Sequence, residues 1–164
     1  MAVPVNELFC AADADITLQS SDKVLFKVHR RNLAAYSEAF PGEEVPSAGE
    51  IVHLSENSAT LELLLQFMAK QRHPIVRGLP FNTVAPLAEA AEKYQVYSAV
   101  SVCHLYMQDN LRIYPLGVLN YAMRHDYPTL CDGAAPLTVD EPLDIALEIL
   151  GPMHFISWVK CSLP

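Results

Sequence analysis

The sequence predicts an α+β domain, a helical cluster flanked by a small, mainly antiparallel sheet and followed by extra C-terminal helices. Two patterns indicate this class. Apolar residues alternate with polar ones near the start of the chain, on both sides of a Ser/Asp turn, which is typical of two antiparallel strands with one buried face. Helical spacing replaces this alternation after residue 57. Strands early and helices later favour α+β over repeated βαβ units.

Composition and charge exclude several classes of protein. Of the 164 residues, 51% are hydrophobic and 18% are charged, a balance typical of a folded domain. The formal charge is -8 and the longest basic run is Arg30-Arg31, whereas phosphate binding needs a concentrated basic face. Direct nucleic-acid binding and membrane binding are therefore disfavoured. Because the chain carries neither a signal-peptide pattern nor a spanning apolar stretch, we expect an intracellular protein, cytoplasmic or nuclear.

The four cysteines and six histidines are dispersed along the chain. Neither the C-x-x-C nor the H-E-x-x-H spacing occurs, so we expect no metal and no cofactor. A cysteine-dependent enzyme is a remote alternative, since Cys131 lies near His125 and Asp126. Cys103 precedes His104, but adjacent helical residues point about 100° apart, so packing explains Cys103 better.

The predicted elements follow in chain order. A hairpin comes first, then a helix over residues 31–40, which must end before Pro41, then a short strand at "IVHL". Ser58 is a candidate N-cap for the next helix. Residues 72–82 form a connection, after which Thr83 caps a helix that tolerates Pro86 in its first turn. The expected buried residues of the hairpin are Ile16, Leu18, Val24, Phe26 and Val28.

Helical spacing also predicts the buried face of each later helix, and residues 131–143 are expected to link the last two helices. These faces are Leu61, Leu64, Leu65 and Met68, then Val84, Leu87, Ala88, Ala91 and Tyr94, then Val100, Cys103 and Met107 with Val102 and Tyr106, then Leu116, Leu119 and Met123, and finally Leu143, Ala146, Leu147 and Leu150.

The stretch "DADITLQSSDKVLFKVHRRNLAAYSEAF" resembles the opening of a BTB/POZ domain. The later stretches "VHLSENSATLELLLQFM" and "LAEAAEKYQVYSAVSVCHLYM" are similar to that family's third strand, long helix and final helical pair. The segments "YPLGVLNYAMRHDYPTLCDGAAP" and "FISWV" resemble fungal BTB proteins with a helical extension. The resemblance implies an N-terminal segment at residues 1–12, a BTB/POZ-like domain at 13–111, and an extension at 112–164 packed on the same core. The motif residues are Asp15, His29, Arg30, Leu33, Ala34, Ser37 and Phe40.

This resemblance implies a non-catalytic protein-protein interaction module that forms homo- or hetero-oligomers, with itself as a homodimer or with another BTB protein. The N-terminal segment and the first helix would supply the interface, with Leu8, Phe9, Leu33 and Tyr36 at its apolar centre. Alternatively, these four residues are all core.

Two charged positions of the motif also belong to the implied interface. Asp15 and Arg30 correspond to the positions near the charged pocket of BTB repressors and could pair through their side chains. The alternative is a solvated Arg30 and an Asp15 that merely ends a turn. We expect His29 to be a buried, hydrogen-bonded structural residue rather than a metal ligand.

A cullin-type ubiquitin-ligase adaptor is the alternative function. Adaptors of the family usually carry a hydrophobic-x-Glu motif after the third helix, but the corresponding stretch here, "AKQRHPIVRGLPF", has no such glutamate. The sequence to Pro164 also shows no substrate-recognition domain, so we expect that an adaptor of this kind would use a partner's recognition domain or its own loops.

Overall fold

The computed structural model describes residues 3–40 and 51–162, with side chains to residue 160. The chain divides into two compact units, residues 1–102 and 103–164, with the division inside one helix. The strands in the described part are β1 Val5–Cys10, β2 Ile16–Gln19, β3 Leu25–Val28 and β4 Ile51–His53. The helices there are α1 Arg30–Tyr36, α2 Ser58–Phe67, α3 Phe81–Lys93, α4 Tyr97–Asn110, α5 Pro115–Arg124, α6 Pro128–Ala134 and α7 Leu143–Ser162.

The sheet has the strand order β1-β3-β2-β4. The β2–β3 hairpin is antiparallel, as predicted, and "IVHL" supplies β4. Both outer strands, however, pair in parallel, β1 with β3 and β4 with β2. The α+β class is confirmed, but the sheet is mixed rather than mainly antiparallel. The reason is topological, because each outer strand reaches its neighbour through intervening chain rather than through a tight turn.

The hairpin buries the face that the alternation predicts. Leu18 pairs with Phe26, and both side chains are fully buried. Val24 is only partly buried, because it lies in the turn, where its amide donates to the Ser20 hydroxyl at 2.9 Å. Lys23 has a positive φ of 68°, a conformation that tight turns between strands require.

Helix α1 is shorter than the predicted helix over residues 31–40. It ends at Tyr36, and Ser37 is already extended. The Ser37 hydroxyl donates to the Tyr94 carbonyl, and the Phe40 ring stacks on the Tyr94 ring with centroids 5.0 Å apart. These tertiary contacts end the helix before the proline does.

The predicted N-caps of α2 and α3 are wrong by one and by three residues. Asn57, not Ser58, caps α2, its side chain accepting from the Thr60 amide at 2.9 Å. Helix α3 begins at Phe81 after Pro80, so Thr83 lies inside the first turn. The predicted buried faces of both helices are confirmed, with Leu61, Leu64, Leu65, Met68, Val84, Leu87, Ala88, Ala91 and Tyr94 all at most 7% exposed.

Two irregular residues shape α3, one within the helix and one just after it. Pro86 lies beyond the first turn of α3, so the helix loses one internal hydrogen bond there, whereas the sequence placed Pro86 in that first turn. Gln95 takes a φ of 52° and separates α3 from α4. The continuous apolar stretch is therefore two helices joined by a left-handed residue.

The unit formed by residues 103–164 contains more helix than predicted. Cys103, Tyr106 and Met107 are buried, and so are Leu116 and Leu119. The expected link over residues 131–143 is wrong in part, because α6 extends to Ala134 and a single 3-10 turn, Ala135–Leu137, follows it.

Helix α7 buries only part of its predicted stripe. Ala146 and Leu150 are buried, whereas Leu143 and Leu147 are 59% and 44% exposed. The helix breaks at Gly151, whose φ of 68° and ψ of 166° are not helical. Glycine adopts a positive φ without the steric penalty that a Cβ imposes.

We predict that Leu64→Ala lowers the free energy of unfolding by about 2 to 5 kcal/mol, because a fully buried leucine leaves a cavity when it is truncated. The matched control is Leu105→Ala, since Leu105 is 62% exposed and should change stability by less than about 1 kcal/mol. Urea denaturation followed by circular dichroism measures both. Equal effects of the two substitutions would contradict the burial of α2.

We also predict that Thr138→Val destabilises the protein by about 1 to 3 kcal/mol. Thr138 is buried, and its Oγ1 accepts the indole N–H of buried Trp158 at 2.8 Å, so valine leaves that donor without its partner. Thr129→Val is the control, because Thr129 is exposed. Thermal unfolding of both variants gives the comparison, and a Thr138 variant as stable as the Thr129 variant contradicts the prediction.

Candidate interaction surface

Sequence reasoning placed Leu8 and Phe9 in the candidate surface but missed that they lie on a strand, β1. This strand pairs Val5 with Leu25 and Cys10 with Lys27, so five steps along β1 match two along β3, and the strand bulges between them. Asn6 holds this bulge, because its Oδ1 accepts from the amides of Leu8 and Phe9 at 2.9 and 3.1 Å. An Asn that bonds the amide two residues ahead is a local signal of such a turn.

A hydrogen bond ties the bulge to the helical cluster. Asn6 Nδ2 donates to Glu62 Oε2 of α2 at 2.6 Å, and the Phe9 ring packs against Phe26 of the sheet with centroids 6.1 Å apart. The chain before the hairpin therefore forms β1, an edge strand of the sheet that contacts both the sheet and α2.

The bulge borders a groove of about 230 Å³, named here the N-terminal groove and lined by Leu8, Phe9, His29, Leu33, Leu65 and Met68, among others. The structure thus brings together three of the predicted interface residues, Leu8, Phe9 and Leu33. Leu8 is 66% exposed, whereas Leu33 is 2% exposed. Leu33 forms part of the floor of the groove, which agrees with the alternative that it is a core residue.

The charged residues of the predicted interface lie where β2 begins and α1 begins. Asp15 Oδ1 accepts from the Arg30 amide at 2.8 Å, so it satisfies one of the free N–H groups at the start of α1. Arg30 is the first residue of α1. It is 7% exposed, so it is not the solvated residue of the alternative. The pair between their side chains stays a prediction.

His29 has a carboxylate neighbour. Its Nε2 lies 3.2 Å from Asp13 Oδ2, an ion-pair distance without the alignment of a hydrogen bond. The pKa of Asp13 is lowered by its own backbone hydrogen bond and next by His29. The side chain of His29 is 20% exposed, so this histidine is less buried than the sequence suggested.

Tyr36 lies in a different groove from the other predicted residues. This second groove, named here the tyrosine groove, has a volume of about 400 Å³ and is lined by Ala34, Ala35, Tyr36, Ser37 and Glu38 on one side and by Gln95, Tyr97 and Ser98 on the other. Tyr36 and Tyr97 are 39% and 57% exposed. The end of α1 and the junction of α3 with α4 therefore form its walls.

A polar cluster around Tyr94 holds these two walls together. The Tyr94 hydroxyl donates to Glu56 Oε2 at 2.6 Å, and Lys93 Nζ donates to Glu56 Oε1 and to Ser55 Oγ, both at 2.7 Å. Because Ser37 donates to the Tyr94 carbonyl, the cluster joins α1, the loop before α2 and the end of α3.

Hydrogen bonds shift the ionisation of this cluster. Burial disfavours the charged form of Glu56, but the bonds from Lys93 and Tyr94 outweigh burial and lower its pKa. Burial raises the pKa of Tyr94 to about 12, and the hydrogen bond to Glu56 adds to that effect. The cluster is thus held as a carboxylate with a neutral phenol over most of the pH range.

The surroundings of Cys103 and Cys131 do not favour the nucleophile that the enzyme alternative requires. Cys103 is fully buried. Burial, followed by the charges of Asp132 and Asp126, raises the pKa of Cys131, whereas a cysteine nucleophile needs a lowered thiol pKa. Asp126 therefore has the opposite effect from the one that activation requires.

Within residues 3–40 and 51–162, no three or more His, Cys, Asp or Glu side chains are placed to hold a metal ion. Over the same residues, none of the helices combines the length and the apolar character needed to cross a membrane.

A small mixed sheet, a helical cluster and two surface grooves define a small α+β domain with the features of an interaction module. The family model of the BTB/POZ domain matches residues 5–111, and the chain therefore belongs to the BTB/POZ family. BTB/POZ domains are generally protein-protein interaction modules, typically non-catalytic, that mediate self-association and binding to other proteins. The matched range includes β1. No curated protein matches the chain significantly.

We predict that Tyr94→Phe lowers the free energy of unfolding by about 1 to 3 kcal/mol, because it removes a buried hydrogen bond to a charged group. Tyr97→Phe is the matched control. Its hydroxyl donates to Glu38 at 3.1 Å but is exposed, so the loss should be below about 1 kcal/mol. Urea denaturation at neutral pH compares the two variants.

The Tyr94→Phe substitution should also change the pH dependence of the free energy of unfolding. The folded pKa of Tyr94, about 12, lies above its ordinary value of 10.0, so its contribution is present below pH 10 and lost as the pH rises toward 12. The stability difference between the wild type and Tyr94→Phe should therefore shrink over that range. A difference that is constant from pH 8 to 12 would contradict the assigned hydrogen bond.

Proposed function

We propose that this BTB/POZ chain is a non-catalytic module that forms homo- or hetero-oligomers through β1 and the N-terminal groove. The observation that carries the proposal is Leu8, which is 66% exposed on an edge strand beside an apolar groove. Exposed apolar side chains next to unpaired strand edges are typical association surfaces.

The chemistry of this surface supports association with an apolar centre. Val3 and Val5, which precede Leu8 in the same N-terminal segment, are 47% and 41% exposed, and Phe9 is partly buried. A stable interface needs about 800 Å² from each partner with an apolar core. A partner strand or helix placed along β1 would cover these side chains and the groove behind them.

The six predicted interface residues take different roles in this proposal. Leu8 and Phe9 contact the partner directly. Leu33 supports them from the floor of the groove, while Asp15 and Arg30 hold the start of α1. Tyr36 joins the interface only where the partner extends to the tyrosine groove. We propose that residues 13–111 form the BTB/POZ-like domain, with 1–12 as its N-terminal segment and 112–164 as a helical extension packed on the same core.

The thiols support an intracellular location. Cys10 and Cys131 are free cysteines, and Cys10 is exposed. Free thiols are typical of reducing compartments, so we propose that the module works in the cytoplasm or the nucleus.

We predict that the wild-type protein is a dimer whose dissociation constant rises at least about tenfold in Leu8→Asp, because a charge would be buried in the apolar centre. Light scattering over a dilution series from micromolar to nanomolar concentrations measures the mass. Ile75→Asp is the control, since Ile75 is 83% exposed and does not line either groove. Tyr36→Asp shows whether the interface includes the tyrosine groove.

A folded Leu8→Asp variant that dimerises like the wild type would contradict this placement of the interface. A wild-type monomer at every concentration would instead favour a one-to-one complex, either with another BTB protein or with a cullin. A pull-down with a purified cullin N-terminal domain then tests the adaptor alternative directly.

A further inference from the structure

The tyrosine groove has a chemistry that self-association through β1 does not use. Two exposed aromatic rings, Tyr36 and Tyr97, line it. The small side chains of Ala34 and Ala35 on α1 also belong to the lining. Among the described residues of this lining, Glu38 is the one that carries a charge. Aromatic faces beside a carboxylate attract cations, because the ring quadrupole and the full negative charge act in the same direction.

The carboxylate of Glu38 forms one hydrogen bond across the groove. The Tyr97 hydroxyl donates to Glu38 Oε2 at 3.1 Å, which joins the two walls of the groove. A carboxylate can accept about four hydrogen bonds, so this one bond leaves capacity for a ligand. The Glu38 carboxylate therefore lies at the groove with acceptor sites remaining.

The charged groups that act on Tyr97 are Glu38 and Glu92, and both give a negative local field. The hydrogen bond to Glu38 raises the pKa of Tyr97, burial adds to it, and the charges of Glu38 and Glu92 act in the same direction. This field favours a cationic ligand over a neutral or anionic one.

Ser98 supplies a further polar group in the wall. Its Oγ is buried and makes no hydrogen bond among the described residues, and a buried hydroxyl without a partner is destabilising. Rotation of the side chain to another staggered rotamer would turn the hydroxyl to a new direction. Gln95, held at a φ of 52°, places a side-chain amide in the same lining.

We infer that the tyrosine groove binds an arginine side chain of a partner protein. The guanidinium stacks on the rings of Tyr36 and Tyr97 and donates to Glu38. Arginine fits better than lysine, because its planar group stacks on aromatic faces and donates two parallel hydrogen bonds to one carboxylate.

The test is a ¹H–¹⁵N NMR titration of the full chain with Nα-acetyl-arginine amide, compared with Nα-acetyl-citrulline amide, its neutral isostere. We expect saturable shifts of the amides of Gln95, Tyr97 and Ser98 with the arginine compound and none with the citrulline compound. Glu38→Gln should weaken binding at least about tenfold, and Tyr97→Leu at least about threefold. Glu148→Gln is the charge-matched control, since Glu148 is exposed on α7, and it should bind like the wild type.

Equal binding of the two compounds, unchanged binding by Glu38→Gln, or shifts spread over all acidic surfaces would each overturn the inference. The variants used here lie outside β1 and the N-terminal groove. Their mass in light scattering should therefore match that of the wild type, so failure of this inference and failure of the proposed self-association give different results.

Discussion

The packing of α1, the loop before α2 and α3 against one another depends on the hydrogen bonds of Tyr94. Its carbonyl lies at the end of α3, where helix carbonyls lack internal partners, and it accepts from Ser37. Its hydroxyl donates to Glu56 in the loop before α2, and its ring stacks on Phe40. One residue thus joins three segments that are far apart in sequence. Because the phenol and its carboxylate partner are largely buried, the loss of either leaves a polar group without its partner, which is why the cluster resists local rearrangement.

The same contacts explain which parts of the fold the sequence could predict. The hairpin and the stripes of α2 and α3 depend on the spacing of apolar residues, which is local, and they are confirmed. The end of α1 depends on a bond between Ser37 and Tyr94, 57 residues apart, and no local pattern contains that information. The cap of α2 was misplaced between neighbours that both have capping side chains, Asn57 and Ser58. The amide and the hydroxyl of Ser58 donate to Asp22 at 2.8 and 2.6 Å. A contact with a distant residue therefore decides which of the two neighbours caps α2.

The candidate surface shows the same division between local and distant information. The grouping of Leu8, Phe9 and Leu33 was predicted from the family resemblance, and the structure brings them to one groove. Strand β1 itself was missed because its bulge interrupts the alternation by which strands are read. Tyr36 was grouped with these residues because the family resemblance implies that the first helix contributes to the interface. Leu33 faces the core, whereas Tyr36 is the last residue of α1 and lines the tyrosine groove.

Helix α1 therefore separates two grooves with different chemistry. The Arg30 amide donates to Asp15 and so fixes the start of α1. This start supports the mainly apolar N-terminal groove. The end of α1, fixed by Ser37, forms one wall of the acidic, aromatic tyrosine groove. Because both surfaces depend on one seven-residue helix, changes that loosen α1 should weaken both together, whereas changes at exposed positions should separate them. In the proposed function, a partner along β1 would leave the tyrosine groove at the opposite end of α1 open to a second partner.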